Sequence, residues 1–511
     1  MLLRFIRRGL NVNLPVTTGI RQPANAYGTK NEDEDKEWLE REPEEEHPFK
    51  RATRVLKTDF RRIKRKTLFW KDHSKDLRKG DWDTEDQLFP THVDVLVIGG
   101  GAIGSSVAYW IKERVKDGLR VAVLEKDPTY KTASTVLSAG GLRQQFSLEE
   151  NIEMSLFGAD FIRNVEDHLG LPGRDPVDVQ FHPHGYLFLA SEAGAECLCK
   201  NSKLQNSLGA RNVVLTASQL ERKFPWLNTK GIAAGCLGLE KEGWFDPWAL
   251  LFGLKRKAIA MGAQYVHGEL KGFTYKNTNN EMIGDTNIST RQGLTAAIVK
   301  TPDGEKKFIT FAYAVVAAGA HSGRIAEMAQ IGVGPGILSV PLPVKPRKRF
   351  VFCFHSPDGP GINTPMTIDP SGAYFRREGL ANHYIAGRSP DLADEPGVNN
   401  LDVDDKFFDE KVWPKIAHRV KSFENLKVKS SWAGFYEYNE FDENGIVGRH
   451  PYYMNLLFAT GFSGHGIQQA PAVGRAIAEL IIDSEFISLD LTRLGFDRFI
   501  SLEPMKEINI V

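Results

Sequence analysis

The chain has 511 residues, 65 Lys and Arg against 65 Asp and Glu, and a formal net charge of zero. With 41% hydrophobic and 25% charged residues it has ordinary globular composition, which excludes wholesale disorder, and its neutral balance argues against a protein that neutralises nucleic-acid phosphates. Its four cysteines exclude a disulfide scaffold, and Cys197-x-Cys199 has neither zinc nor thioredoxin spacing, so the clustering of the 47 glycines is the first question.

Residues 1–31 carry Arg4, Arg7, Arg8, Arg21 and Lys30 and no acid. Leu2, Leu3, Phe5, Ile6 and Leu10 interleave with the arginines, so a helix here would be basic on one side and apolar on the other. That is the composition of a mitochondrial transit peptide, the alternative being a disordered basic tail. The expected location is the mitochondrion, in the matrix or on the matrix face of the inner membrane. Residues 32–90 read as a charged extension, with ten acids from Glu32 to Glu46 and ten bases from Lys50 to Lys71. Charge blocks of this density do not bury enough apolar surface to fold alone. Val93–Ile111 is the one stretch that resembles a membrane span, but Asp94 and several glycines interrupt it.

From Val93 the pattern changes. The β-branched run Val93–Ile98 ends in Gly99-Gly100-Gly101, residues 102–115 read as a helix, and residues 120–124 as a second buried strand. Together they predict a βαβ unit. Gly99-x-Gly101-x-x-Gly104 sits at the strand-to-helix turn, with glycines for the turn, for approach to a pyrophosphate and for close packing. The helix N-terminus would face the phosphates. Glu125, about 20 residues on, is placed to accept from a ribose diol, which disfavours NADP. The fingerprint predicts an adenine dinucleotide and leaves FAD and NAD open.

Three further segments bear on that choice: Thr132–Arg143 after the second strand, Phe311–Ala320 as a strand ending in small residues, and Leu456–Ile467 as a strand, glycine loop and helix start. With Gly461-Phe-Ser-Gly464-His465-Gly466 and Trp244-Phe-Asp-Pro247, the chain resembles the D-amino-acid oxidase and sarcosine oxidase family of FAD-dependent oxidoreductases over about residues 92–485. The resemblance implies an α/β fold in which a Rossmann-type FAD-binding domain (91–178, 231–338 and 431–485) interleaves with an antiparallel-sheet substrate or cap domain (179–230 and 339–430). Residues 486–511 would then form a C-terminal tail. It implies FAD as cofactor, held by Gly99, Gly101, Ala102, Ile103, Gly104, Glu125, Lys126, Ser134, Ser138, Gly141, Val266, Ala318, Gly319, Gly461, Gly464, His465, Gly466 and Ile467. The attachment is expected to be non-covalent, since Leu137 and the Gly379–His383 stretch stand near the positions where relatives carry a linking histidine or cysteine.

The family oxidises C–N bonds, so the resemblance implies a cation that grips the substrate carboxylate and aims its C–H bond at the flavin. Arg143, in Gly140-Gly141-Leu142-Arg143, is the candidate, the alternative being a loop salt bridge. Tyr374 and Arg376 would line the substrate face from one side of a strand. Lys345, near Arg347 and Lys348, would approach the flavin edge unless it belongs to a solvated basic turn. Two positions depart from the family pattern: Gln468 stands where sarcosine oxidases carry a carboxylate-binding lysine, and Phe146 where a second basic residue is expected. No metal is expected, because His182, His184 and His450 lack ligand partners at useful spacing.

Within the family, Ala133–Gly141, Gln145–Leu148 and Ser371–Gly379 are similar to a mitochondrial branch that serves in assembly of respiratory complex I. That similarity implies complex I assembly intermediates and other assembly factors as partners, an unidentified small-molecule substrate, no nucleic acid, and membrane contact that is peripheral at most. The rival expectation is a matrix dehydrogenase or oxidase of amines or N-methyl amino acids. A third is FAD kept as a structural group.

Overall fold

The structure, a computed structural model, describes residues 89–278 and 291–509. The expected transit peptide and nearly all of the charged extension lie outside these residues.

The β-branched run forms β1 (His92–Ile98), whose Val95, Leu96 and Val97 are fully buried. A strand so apolar on both faces needs cover on both, as parallel sheets provide. Parallel to it on either side lie β2 (Val121–Glu125) and β11 (Lys306–Val316), with Val97 opposite both Val123 and Val315. The complete order is β17 (Ile446–Arg449), β18 (Leu456–Thr460), β11, β1, β2, β8 (Gln264–His267). An antiparallel pair, β9 (Glu269–Thr278) and β10 (Arg291–Lys300), joins through β11. One face is covered by α1 (Ala102–Val115), α2 (Glu149–Arg163), α3 (Pro247–Ala260) and α4 (Gly466–Ile482). The first and last of these cross so closely that a Cβ on Gly474 would overlap Ser106, and Trp110 Nε1 donates to Pro471 O at 2.8 Å.

The second sheet runs β16 (Lys427–Asn439), β12 (Val344–His355), β15 (His383–Gly387), β14 (Tyr374–Glu378), β13 (Met366–Ile368), β4 (Tyr186–Ala190), β6 (Ala234–Gly238), β5 (Asn212–Thr216). It is antiparallel except where β13 meets β4. Phe350, Phe352, Phe354, Phe375 and Phe423 fill its core. A two-residue ladder, β3 (Gly141–Leu142) with β7 (Gly243–Trp244), stands apart from both sheets.

Three expected boundaries move. β6 belongs to the second sheet, so the middle piece of the FAD-binding domain begins nearer α3 than residue 231. β16 also pairs along its whole length with β12, so the last piece begins after Asn439 rather than at 431. Residues 486–509 are no tail: Leu491, Leu494 and Phe496 are fully buried in the cores around the first sheet. Glu507, also fully buried, accepts from Ser147 N–H and Oγ, Leu148 N–H and Asn151 Nδ2, just where α2 lacks a side-chain cap. A carboxylate there satisfies donors that a helix start leaves open. No described helix is long and apolar enough to cross a membrane. Among the described residues, no group of three or more His, Cys, Asp and Glu could hold a metal ion.

Candidate functional site

The three fingerprint glycines have separate jobs. Gly99 has φ +106°, and a Cβ on it would overlap Ala317 O; a Cβ on Gly104 would overlap Gly99 O. Both are needed for the turn and the helix–strand contact. A Cβ on Gly101 would meet only Thr135 Oγ1, at 3.2 Å, so this glycine instead leaves room in front of the start of α1. Ala102 N–H donates to Thr135 Oγ1 at 3.1 Å. Gly99, Gly101, Ala102, Ile103, Glu125, Lys126, Ser134, Ala318 and Gly319 all border one cavity of about 330 Å³, whereas Gly104 packs behind it.

Glu125 accepts Gly100 N–H at 2.7 Å on one oxygen and Asp127 N–H at 2.8 Å on the other. A carboxylate has about four acceptor positions, so capacity remains for a ribose diol. Burial raises its proton affinity, and the two N–H donors oppose this. Lys126 pairs with Glu269 at 3.0 Å on the rim. Val266 is placed elsewhere: it is buried opposite Leu124 in the sheet, and Gly268–Leu270 form the wall in its stead.

A second cavity of about 170 Å³ shares Ala102, Ile103, Ser134, Thr135, Phe435 and Glu437 with the first. Its walls include Ser138, Gly141, Arg143, Gly464, His465, Gly466 and Ile467. Gly464 has φ +101°, and a Cβ on it would lie 2.6 Å from the Tyr436 ring, so no side chain fits there. His465 precedes α4 without capping it, leaving the helix's N–H donors at the cavity wall. Burial, followed by the nearby Arg143 charge, pushes the His465 imidazole down to about 3, so it is neutral at physiological pH. Gly461 lies behind the loop and donates its N–H to Glu437 Oε2 at 3.1 Å. Ser134 Oγ donates to Phe435 O at 2.5 Å, and Ser138 Oγ accepts Gly140 N–H at 3.2 Å. Two helix starts without side-chain caps, an opening at Gly101 and a carboxylate with spare acceptors fit a dinucleotide that carries a flavin. No cysteine lines either cavity, and Leu137 is on the wall of the second.

The four candidate catalytic residues separate. Arg143 is buried on the wall of the second cavity. Its guanidinium donates to the carbonyls of Gln145 and Asn509 and lies 4.0 Å over Phe146, one of the two positions that depart from the family. The other, Gln468, accepts the Arg143 main-chain N–H through Oε1 at 2.7 Å. Two buried acids act on Arg143, Glu507 and Glu242; Glu242 accepts Gln144 N–H at 2.8 Å and Gln145 Nε2 at 2.9 Å, and burial pushes it up to about 7. Burial lowers the proton affinity of Arg143, and the nearby Tyr186, Glu507 and Glu242 oppose this. Tyr374 lines the same cavity, beside Tyr186 and Tyr436.

Arg376 and Lys345 stay outside it. Arg376 Nε donates to Ala139 O at 2.9 Å, and its Nη1 reaches Arg377 O and Glu378, so it clasps the 138–141 loop. Lys345 is exposed and pairs with Glu440 at 2.7 Å. Four residues along the same strand, Arg349 does reach the wall and makes two 2.9 Å bonds to Glu395. Sequence reasoning missed Arg349, Thr135, Tyr186, Tyr436, Glu242 and Glu437. Only Glu437 left a local signal, an acid between two tyrosines in a strand.

When bound, FAD would supply a hydride acceptor. The chain's own contribution would be a cation at Arg143, water exclusion by Leu137, Val351, Met366 and Ile368, and helix-start donors at the wall.

Comparison with known proteins agrees with this arrangement. The profile of the DAO family, FAD dependent oxidoreductase, matches residues 94–480. FAD-dependent oxidoreductase domain-containing protein 1 of Xenopus laevis is 49% identical over 465 residues, covering 89% of this chain and 92% of that protein. The homolog of that protein in Drosophila melanogaster is 48% identical over 490 residues, 92% and 93% of the two chains. Among solved structures, L-proline dehydrogenase from P. horikoshii superposes with a TM-score of 0.67 at 27% identity, covering 81% of this chain and all of that one. With the fingerprint turn, the 461–466 loop and the two joined cavities in place, the chain belongs to the DAO family of FAD-dependent oxidoreductases, and FAD is its cofactor.

Proposed function

We propose that the protein is a mitochondrial flavoprotein of this family that acts in assembly of respiratory complex I, with assembly intermediates and other assembly factors as partners. One observation carries the reading. The three strings that resemble the complex I branch converge on one cavity: Ser134, Leu137, Ser138, Gly141 and Tyr374 line it, and the Gln145 carbonyl accepts from Arg143 on its wall. What distinguishes the branch is thus concentrated where a substrate would sit. The basic, acid-free residues 1–31 supply the import signal this role needs. Cells lacking the protein are expected to lose assembled complex I on native gels and to regain it with the wild-type chain. Normal complex I in such cells overturns the proposal.

A second reading is favoured by the buried Arg143 on the cavity wall: an amino-, imino- or N-methyl-amino-acid dehydrogenase. Anaerobic titration of the holoprotein with such acids is expected to bleach the flavin with at least one of them. For that acid, Arg143→Met is expected to raise the concentration needed by about 10- to 100-fold, the worth of a charge-assisted hydrogen bond. A flavin that none of them reduces removes this reading.

A further inference from the structure

Glu437, on β16, stands where the two cavities meet and lines both. Its Oε2 accepts Thr460 Oγ1–H at 2.9 Å and Gly461 N–H at 3.1 Å. Phe462 N–H is a third donor to the carboxyl, and Oε1 makes no side-chain hydrogen bond to a described residue. That oxygen lies 3.1 Å from where a Cβ on Gly466 would stand, beside the first residue of α4.

The cofactor brings two phosphate charges into this space and gains negative charge on its pyrimidine side when reduced. An unpaired carboxylate on the same wall would repel both, whereas a neutral acid would offer an O–H donor. We propose that Glu437 is held as the neutral acid in the flavin-loaded protein and donates from Oε1 to the cofactor, so that FAD binding takes up a proton. This rests on the FAD site described above.

Burial already pushes the Glu437 carboxyl up to about 7, against the donors Thr460, Gly461 and Phe462 that favour its anion. A bound cofactor removes water and adds negative charge, which moves it further in the same direction. Arg143 and Arg349 line the same cavity, but what acts on Glu437 is burial and its three donors, with no cation among them. Arg347 and Arg349, on the paired strand, are engaged by Glu395, and Lys345 by Glu440. His321 and His465 are both lowered, chiefly by burial. Tyr436 and Tyr438, on its own strand, are raised by burial and stay neutral.

The test is the dissociation constant of FAD from the full-length holoprotein between pH 6 and 9, read from the fluorescence of released flavin after dilution. Because binding selects the protonated form, Kd is expected to be flat below about pH 7 and to rise about tenfold per pH unit above it. Glu437→Gln, which keeps a donor and cannot ionise, is expected to bind FAD with no such rise. A flat wild-type profile, or the same rise in both proteins, overturns the proposal. Thr460→Val removes a donor to the anion and is expected to move the break to higher pH. If Glu437→Gln does not fold, an unmoved break in Thr460→Val overturns the proposal by itself. Wild-type protein that carries no flavin, released or retained on denaturation, would instead contradict the FAD site.

Discussion

Gly101→Val is expected to yield a folded protein carrying less than about a tenth of the wild-type FAD. The backbone admits the change, since Gly101 has φ −64°, outside the left-handed region, and an added Cβ would approach only Thr135 Oγ1, at 3.2 Å. The two methyl groups would occupy the space in front of the α1 start, where a pyrophosphate must come close to the helix's N–H donors. Gly104→Val would be a poorer test, because its Cβ would overlap Gly99 O and force the helix off the strand. The measurement is flavin absorbance in the supernatant after acid precipitation, per mole of protein, with circular dichroism as the check on folding. Wild-type protein should release its flavin under this treatment, as non-covalent attachment requires. Near-wild-type flavin in Gly101→Val would show that the pyrophosphate does not lie at this turn. The same variant bears on the proposed role: if it restores complex I in deficient cells, the flavin is dispensable for assembly.

Arg498→Met should lower stability by about 3–5 kcal/mol, the usual cost of leaving one partner of a buried ion pair alone. Arg498 Nε meets Asp442 Oδ2 at 2.7 Å, and Asp442 is almost fully buried. The guanidinium also donates to the carbonyls of Leu494, Gly495, Asn444 and Gly445. Methionine matches its length but leaves the carboxylate and these carbonyls without their donor. The damage should reach the cofactor. Asp442 accepts from Asn439 Nδ2 at 2.7 Å, and Asn439 N–H donates to Ser463 Oγ at 3.0 Å, inside the 461–466 loop. Thermal unfolding and the rate of flavin release check both consequences, and a melting temperature equal to wild type would refute the assignment.

The strand, glycine turn, helix and acid of the dinucleotide half were readable because each is a local constraint. A left-handed φ at Gly99, an apolar run in β1 and an acid at the end of β2 depend on residues within about one turn or one strand of one another. The 461–466 loop was readable for the same reason. The antiparallel second sheet was anticipated through resemblance, but its edges were not. β6 and β16 carry no mark of which sheet they join, because pairing partners are chosen by the rest of the fold.

Side-chain destinations show the same division. Lys345, Arg347, Lys348 and Arg349 look alike as a basic run, yet only Arg349, the furthest along the strand, lines a cavity. Arg376 lies on the same strand as Tyr374, but the Ala139 carbonyl holds its guanidinium away from the substrate space. Arg143 and Gln468 are 325 residues apart, and only folding shows that the missing lysine position has become a brace for the arginine. Residues 486–509 read as a tail because they lie beyond the stretch that resembles the family, and they become core because Leu491, Leu494 and Phe496 find partners far away in the chain. Backbone geometry and periodicity are written in neighbouring residues and can be read from them. Burial, charge compensation and access to the cavity are properties of contacts between distant segments, which exist only once the chain has closed on itself.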